Sequence, residues 1–465
     1  MSAFGWLERM LNGVADHGME LIGLRERDQH NPSISELCHR LVDGVGEASN
    51  IALAREILQR WREMENEQRL DFLQVLAIEL DPDPVEIKQA AENYHSRDPL
   101  SLQKLLDVSE PPRQELFRRL NMAPGATAIL VEMRAELLTW LRNRPDLLGV
   151  DYDMRHLLAS WFNRGFLDLQ RIDWDSSASV LEKLIRYEAV HPMQGWDDLR
   201  RRLAEDRLCY AFFHPALPQD PLIFVEVALT REISDSVNNL IDPEFPLSDP
   251  TTADTAIFYS INNALKGLRG ISFGNFLIKQ VVNELKQTFP NVQRFVTLSP
   301  ITRIRKALQQ LQTATTGGMD QRDLEKLLGE RKQQLIKLTE CHDLISALDK
   351  LLDSPQASQN DDLVTSTLND LVLFYLVFLK KGEHAYEPVA HFHLSNGARL
   401  DRINLFANLS ERGNAESWGC MVNYRYEEPN LVVNHEAYLN NGQIALSKDL
   451  QQSYQRIQSI LQESN

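Results

Sequence analysis

A change of pattern near residue 200 constrains the fold more than any other feature of the sequence. Before it, apolar residues such as Leu53 and Trp61 recur at helical spacing, and turns interrupt them at 81–84, 111–112 and 124–125. From Arg207 onward, short β-branched and aromatic runs appear at 207–215, 222–230, 256–262 and 294–300. The sequence therefore predicts an α+β protein, an all-helical N-terminal domain followed by a mixed α/β domain.

The same patterns predict the domain boundaries. We expect a helical N-terminal domain over 1–160 and a mixed domain over 161–465 that contains a helical insertion at about 303–382. A helix between the runs at 256–262 and 294–300 predicts a β-α-β unit. After the insertion, strands are predicted at 389–394, 399–406, 420–426 and 431–439, and a closing helix at 448–461.

Charge and cysteine content exclude several classes of protein. The net charge of −17 argues against a nucleic-acid or anionic membrane partner, since both select for clustered Lys and Arg. Four cysteines without a CxxC pair indicate neither a disulfide framework nor a zinc site. The N-terminal 23 residues contain Glu8, Asp16 and Glu20 and fit neither a secretory nor an organelle-targeting signal. We therefore expect a cytoplasmic protein.

A glycine-containing turn between a predicted strand and helix is the first candidate site. It comprises Arg269, Gly270, Ile271, Ser272, Phe273, Gly274 and Asn275. Glycines allow close approach of the backbone to an anion, and the N–H groups of a helix start point at it. The turn lacks the full dinucleotide-binding fingerprint and the P-loop Lys-Ser/Thr, so a tight turn without a ligand is an equal alternative.

Ser299 and a group of histidines are the other candidates. Ser299 follows a predicted strand at the edge where open sheets bind ligands, but it lacks the GxSxG elbow of hydrolases. His391 and His393 lie two apart on a predicted strand, so both rings would face one side. No acidic or cysteine ligand follows at metal spacing, so we expect no metal site. Tyr424 and Tyr426 would likewise share one face of their strand.

Several segments together resemble the malonyl-CoA decarboxylase family. They are YEAVHPMQGWDDLRRRL, AIFYSINNALKGLRGISFGNFLIKQVVNELKQTFP, FVTLSPI, EPVAHFHLSNGARLDRIN and MVNYRY, and they occur in the family's order between about 160 and 430. The resemblance implies a catalytic domain with the GNAT fold, which binds coenzyme A across a split mixed sheet. It also implies conversion of malonyl-CoA to acetyl-CoA and CO₂ by a homo-oligomer, a dimer or tetramer, in fatty acid metabolism.

Carried over from the family, the catalytic serine and histidine fall on Ser299 and His393, and supporting positions fall on Ser260 and Tyr426. Ser299 would orient the malonyl carboxylate, and His393 would deliver the proton. The thioester carbonyl of the substrate accepts the electrons that CO₂ leaves behind, so no cofactor is expected. An acyl-enzyme at Ser299 is an open alternative. Ser260 and Tyr426 would donate to the thioester oxygen or orient the catalytic pair.

The glycine turn 269–275 would then hold the pyrophosphate of coenzyme A. Two departures from the family pattern leave questions open. Ser272 stands where relatives carry an acidic residue, so any acid that orients the histidine must come from elsewhere. The basic segment 302–306 replaces an expected Pro-Gly-Phe and either contacts the 3′-phosphate of coenzyme A or starts a solvated helix. The role of His391 is also open.

Two other functions compete with decarboxylation. A GNAT-like acyltransferase would pass an acyl group from coenzyme A to an amine and would need an open acceptor groove. A non-catalytic scaffold that binds coenzyme A would need neither Ser299 nor His393. The presence of both residues argues against the scaffold.

Overall fold

The computed structural model describes residues 13, 32–44, 46–271, 277–353 and 361–462. The chain forms two compact units. The first contains residues 1–168, 213–222 and 263–273, and the second contains residues 169–212, 223–262 and 274–465. Among the described residues, no helix is both long and apolar enough to cross a bilayer.

Helices build most of the first unit, as the apolar spacing predicts. They are α1 (Ile34–Asp43), α2 (Glu47–Glu63), α3 (Asn66–Ile78), α4 (Pro84–Glu92), α5 (Pro99–Ser109), α6 (Pro112–Leu120), α7 (Ala126–Trp140) and α8 (Leu148–Trp161). Asp83 and Asp98 accept backbone N–H bonds at the starts of α4 and α5, each directly before a proline. Trp61, Phe72 and Phe117 are buried in the core of this unit.

An edge strand that the sequence did not predict, β1 (Asp168–Ile172), precedes the main sheet. Only Ile172 of its five residues is buried, so the strand carries almost no apolar signal. Helices α9 (Ala178–Tyr187) and α10 (Trp196–Arg202) follow it.

The sheet of the second unit is mixed. Its strands are β2 (Arg207–Phe213), β3 (Ile223–Thr230), β4 (Thr255–Asn263), β5 (Arg294–Thr297), β6 (Ser299–Pro300), β9 (Arg399–Asn404) and β10 (Met421–Arg425), with β1 at its edge. Strands β2 and β3 are antiparallel, whereas β4 and β5 are parallel. Between β3 and β4 lies the short helix α11 (Asn238–Ile241), and α12 (Leu277–Thr288) joins β4 to β5. The predicted β-α-β unit is therefore confirmed.

The parallel pair ends at the candidate serine. Its register runs from Thr255 opposite Arg294 to Phe258 opposite Thr297. Beyond it, β6 neighbours β10 rather than β4, and Ser299 pairs with Val422. The two parallel strands thus part at their carboxyl ends, which is the split mixed sheet expected of a GNAT-like domain.

Helices fill the segment between β6 and a small hairpin of β7 (Lys380–Lys381) and β8 (His384–Ala385). They are α13 (Ile304–Leu311), α14 (Gln321–Leu328), α15 (Glu330–Thr339), α16 (Leu344–Leu352) and α17 (Asp362–Leu373), followed by a π-helical turn (Phe374–Phe378). The predicted α+β class, with its helical N-terminal region and helical insertion, is confirmed.

Two predicted strands are helices instead. Residues 389–394 belong to α18 (Pro388–Ser395), and residues 431–439 belong to α20 (Glu428–Asn441). Both predictions were wrong because short apolar runs do not by themselves distinguish a strand from a helix. Helix α19 (Glu411–Ser417) lies between β9 and β10, and α21 (Lys448–Gln462) closes the chain as predicted.

Candidate active site

Ser299 and His393 form the centre of the candidate site. Ser299 Oγ lies 2.9 Å from Nε2 of His393, although 94 positions separate them. Both side chains are buried, with exposed fractions of 5% and 2%. Burial lowers the pKa of His393 to about 3, because desolvation disfavours the imidazolium. The imidazole is therefore neutral at neutral pH.

Two tyrosines, Tyr424 in β10 and Tyr426 directly after it, hold the imidazole from different sides. The Tyr426 hydroxyl lies 2.8 Å from Nδ1 of His393. The Tyr424 ring stacks on the imidazole, with ring centroids 4.6 Å apart and planes inclined by 23°. Burial raises the pKa of Tyr426 well above its usual range, so its phenol stays neutral. The predicted pair of strand aromatics thus lines one site.

Thr297 extends this hydrogen-bonded chain beyond Ser299. Ser299 Oγ donates to Thr297 Oγ1 across 2.9 Å, and the same threonine oxygen accepts the Tyr424 N–H. With its proton given to Thr297, Ser299 accepts the Nε2–H of His393, and Nδ1 accepts from Tyr426. In this arrangement the imidazole does not take the serine proton, as a nucleophile's base would.

Glu387 connects the histidine helix to the serine strand. Its buried carboxylate accepts the Ala390 N–H at the start of α18 and the Thr302 hydroxyl, at 2.6 and 2.8 Å. Thr302 follows Ser299 by three residues, and His393 lies on the second turn of α18. Burial raises the pKa of Glu387. This carboxylate therefore fixes where the helix begins relative to the strand, a role that sequence reasoning missed.

His391 does not share the face of His393, because the two lie on a helix rather than a strand. Two positions along a helix correspond to a rotation of about 200°. His391 Nδ1 lies 2.9 Å from the Tyr438 hydroxyl, and its ring contacts His384. The expectation of one shared strand face is therefore wrong. Among the described residues, no group of three or more His, Cys, Asp or Glu is placed to hold a metal ion.

Ser260 is held by a different set of groups. Its hydroxyl donates to Glu188 Oε2 across 2.8 Å and accepts from Asn262 Nδ2 across 2.7 Å. All three side chains are buried. Glu188 comes from the YEAVHP segment, 72 positions before Ser260, so only the resemblance pointed to that segment and no role was predicted for it.

The glycine turn is described only in part. Arg269, Gly270 and Ile271 belong to the first unit, whereas the predicted Ser272, Phe273, Gly274 and Asn275 lie outside the described residues. Gly270 has φ +79°, a left-handed conformation that favours glycine. Arg134 of α7 donates to the carbonyl oxygens of Gly267 and Arg269 at 2.6 and 2.9 Å, so the start of the turn is fixed within its unit.

The basic segment 302–306 starts helix α13. Arg305 pairs with Asp349 at 2.5 Å and stacks over the Trp418 ring, so its guanidinium serves packing within the second unit. Arg303 and Lys306 are exposed. The helix start predicted for this segment is confirmed.

Models of two malonyl-CoA decarboxylase domains match the chain, the N-terminal domain at residues 80–162 and the C-terminal domain at 165–464. A malonyl-CoA decarboxylase, mitochondrial, from Anser anser anser is 38% identical over 349 residues, which cover 73% of this chain and 69% of the relative. The Rattus norvegicus counterpart is 34% identical, covering 73% and 70%.

Solved structures agree with these sequence matches. The malonyl-CoA decarboxylase of Rhodopseudomonas palustris superposes with a TM-score of 0.80 at 42% identity, covering 90% of this chain and 98% of that one. The Agrobacterium vitis enzyme gives 0.77 at 40% identity, covering 90% and 99%. The chain belongs to the malonyl-CoA decarboxylase family.

Proposed function

We propose that this protein is a carboxy-lyase that converts malonyl-CoA to acetyl-CoA and CO₂. The observation that carries the proposal is the buried chain Tyr426–His393–Ser299, which places an imidazole N–H and a hydroxyl at the carboxyl end of a parting parallel strand pair. Family membership supplies the substrate. The two groups suit a reaction that must orient a carboxylate and protonate a carbon.

Decarboxylation of malonyl-CoA requires that the carboxylate is oriented and that the resulting enolate receives a proton. When the carboxylate is held out of the thioester plane, the breaking C–C bond delivers its electron pair to the thioester carbonyl, and CO₂ leaves. The resulting enolate then takes a proton at carbon. Because the substrate's own thioester accepts the electrons, we infer that no metal or organic cofactor takes part.

His393 is the proposed proton donor, with Ser299 orienting the malonyl carboxylate. When substrate binds, the Ser299 hydroxyl would turn its proton from Thr297, a neutral acceptor, to the anionic carboxylate, which accepts a stronger hydrogen bond. The free imidazole is neutral, since burial lowers its pKa to about 3. An anionic carboxylate placed beside it favours the imidazolium and raises that pKa. We therefore infer that His393 takes up a proton from solvent when substrate binds and gives it to the enolate carbon. Each turnover consumes one proton.

The test is an assay of purified protein with malonyl-CoA and EDTA, without an amine acceptor. Acetyl-CoA and CO₂ should form in equal amounts. Product formation that requires added metal would contradict the cofactor-independent route. Absence of turnover would reject the decarboxylase, and a screen of amine acceptors would then test the acyltransferase.

We also propose that the protein self-associates as a homodimer or homotetramer through α4 and α5. Helix α5 is described over its whole length and has no buried residue. Its apolar side chains Leu100 and Leu106 are 80% and 55% exposed. Val85 of α4 is 71% exposed. Apolar patches of this kind commonly mark protein interfaces. Light scattering on the wild type and on Leu100→Lys/Leu106→Lys tests this, and an unchanged molar mass would reject it.

A cytoplasmic location and a role in fatty acid metabolism are further proposals. Cell fractionation tests the location, and the malonyl-CoA level of a deletion strain tests the role.

A further inference from the structure

The Glu188 carboxylate is surrounded by four hydrogen-bond donors. Its Oε1 accepts the backbone N–H groups of Val190 and His191 at 2.8 and 2.7 Å. Its Oε2 accepts from Ser260 Oγ and Asn262 Nδ2 at 2.8 and 2.7 Å. The side chain is only 4% exposed. Each carboxylate oxygen of Glu188 therefore accepts two hydrogen bonds. A buried carboxylate with this many donors fixes the positions of the groups around it.

These bonds fix the direction of the Ser260 hydroxyl. Asn262 Oδ1 accepts the Ala189 N–H across 2.9 Å, so the Asn262 amide can face Ser260 only with its NH₂ group, which donates to Ser260 Oγ. Glu188 in its ionised form only accepts. Ser260 therefore gives its single proton to Glu188 and keeps one lone pair free. Toward any further partner, such as a ligand, the Ser260 hydroxyl can therefore only accept a hydrogen bond.

Ser260 lies on β4 beyond the last residue that pairs with β5. It follows Phe258 by two residues, just as Ser299 follows Thr297 by two, and Phe258 and Thr297 are the last parallel partners. Side chains two apart on a strand share a face. Ser260 and Ser299 thus lie on the same face of the sheet, at the carboxyl ends of neighbouring strands.

The chemistry of an acyl-coenzyme A limits what an acceptor can bind there. The malonyl carboxylate and the thioester carbonyl are themselves acceptors. The donors near the acyl end are the amide N–H groups of the pantetheine arm. We propose that Glu188 is a positioning residue that holds Ser260 as a hydrogen-bond acceptor for an amide N–H of the substrate's arm. This inference rests on the proposed function. It also means that Ser260 does not donate a hydrogen bond to the enolate oxygen.

Two substrates distinguish this role from an action on the reacting atoms. Ser260→Ala should raise KM for malonyl-CoA about 3- to 10-fold, the value of one neutral hydrogen bond, with kcat changed less than about twofold. With malonyl ethyl thioester, which has no amide, the same variant should match the wild type. A fall of kcat with both substrates would overturn the proposal.

Glu188→Gln tests the positioning itself. The backbone N–H groups of Val190 and His191 hold the amide oxygen of the new glutamine, so its NH₂ group faces Ser260 and the serine proton is released. The variant should raise KM for malonyl-CoA by a factor similar to that of Ser260→Ala, and the double variant should be no worse. Additive effects would overturn the proposal, because Glu188 would then act independently of Ser260.

Asp206→Asn is the matched control. Asp206 is a fully buried carboxylate of the same unit that pairs with Arg201 at 2.9 Å. Asp206→Asn should lower the melting temperature and leave KM for malonyl-CoA unchanged. If it raised KM as much as Glu188→Gln does, the rise would reflect the loss of any buried carboxylate, and the proposal would be overturned. Calorimetric titration with acetyl-CoA measures binding without turnover, so it tests the role of Ser260 even if the protein does not decarboxylate malonyl-CoA. An unchanged affinity of Ser260→Ala for acetyl-CoA would overturn the proposal.

Discussion

The Tyr426 hydroxyl lies 2.8 Å from Nδ1 of His393, and on the other side of the ring Nε2 lies 2.9 Å from Ser299 Oγ. A neutral imidazole carries one proton, so the tyrosine decides which nitrogen holds it. With Tyr426 donating to Nδ1, the proton lies on Nε2 and points at Ser299. The side of the ring that faces the proposed substrate is therefore the protonated one.

Replacing His393 should remove the proton donor. We expect His393→Asn to lower kcat by about 10²- to 10⁴-fold, the usual contribution of a positioned acid. Release of acetyl-CoA and CO₂ measures it, and affinity for acetyl-CoA serves as the control for folding. A variant that keeps more than a tenth of wild-type kcat would show that the proton comes from another group.

Replacing Ser299 separates an orienting role from an acyl-enzyme. Ser299→Ala should reduce kcat/KM by about 10- to 100-fold, the loss of one hydrogen bond to a charged group. An acyl-enzyme mechanism predicts near-complete loss instead, together with a malonyl or acetyl adduct on the wild-type protein. Mass spectrometry of wild-type protein quenched during turnover checks for that adduct, and finding it would contradict the orienting role.

Removing the Tyr426 hydroxyl should disturb the imidazole without removing its ring contact. We expect Tyr426→Phe to reduce kcat about 10-fold, because Nδ1 loses the donor that sets the tautomer. Tyr424→Phe keeps its ring stacked on the imidazole and should change kcat less than about twofold. Equal effects of the two variants would argue that ring packing, rather than the Tyr426 hydrogen bond, governs the site.

The buried histidine should make stability depend on pH in a defined direction. His393 has a pKa of about 3 in the folded protein and about 6.5 when unfolded, so below pH 6.5 the unfolded chain binds the extra proton. This contribution stabilises the protein above pH 6.5 and is lost as the pH falls towards 3, by up to about 1.4 kcal/mol per pH unit.

Burial also lowers the pKa of His191 to about 3, so His191 makes a second contribution of the same sign to the pH dependence of stability. Urea unfolding between pH 5 and 6.5 should therefore show a shallower pH dependence for His393→Asn than for the wild type. Equal slopes for the two proteins would contradict a neutral, buried His393.

Glu387 should matter for catalysis more than an ordinary helix cap. Glu387→Gln weakens the bonds to Ala390 and Thr302 and should cost about 1–2 kcal/mol of stability, because a buried charged cap is lost. It should also lower kcat by several-fold, since α18 carries His393.

The control is Asp343→Asn, which alters the cap of α16, where Asp343 accepts the Ile345 N–H. It should destabilise the protein without a change in kcat. If the two variants lower kcat alike, Glu387 has no special link to the site.

Much of the fold could be predicted because local patterns decide it. Helices of the first unit follow apolar spacing, two of them with Asp-Pro starts, and β2 to β5 follow short apolar runs between turn residues. Signals for α18 were also present but overlooked: Glu387 and Pro388 start it, and Gly397, with φ +83°, ends it. A Cβ at Gly397 would lie 2.1 Å from the Leu431 carbonyl oxygen, so the position requires glycine.

The sequence by itself determined the order of helices and strands and placed Ser299 after a buried strand, because backbone propensity and apolar period act over a few residues. The tertiary structure alone decided that His393 and not His391 meets Ser299, and that Glu188 reaches Ser260. Those contacts join residues 72 to 94 positions apart, and they form only when packing brings separate elements together. No local pattern encodes a hydrogen bond between residues so distant along the chain.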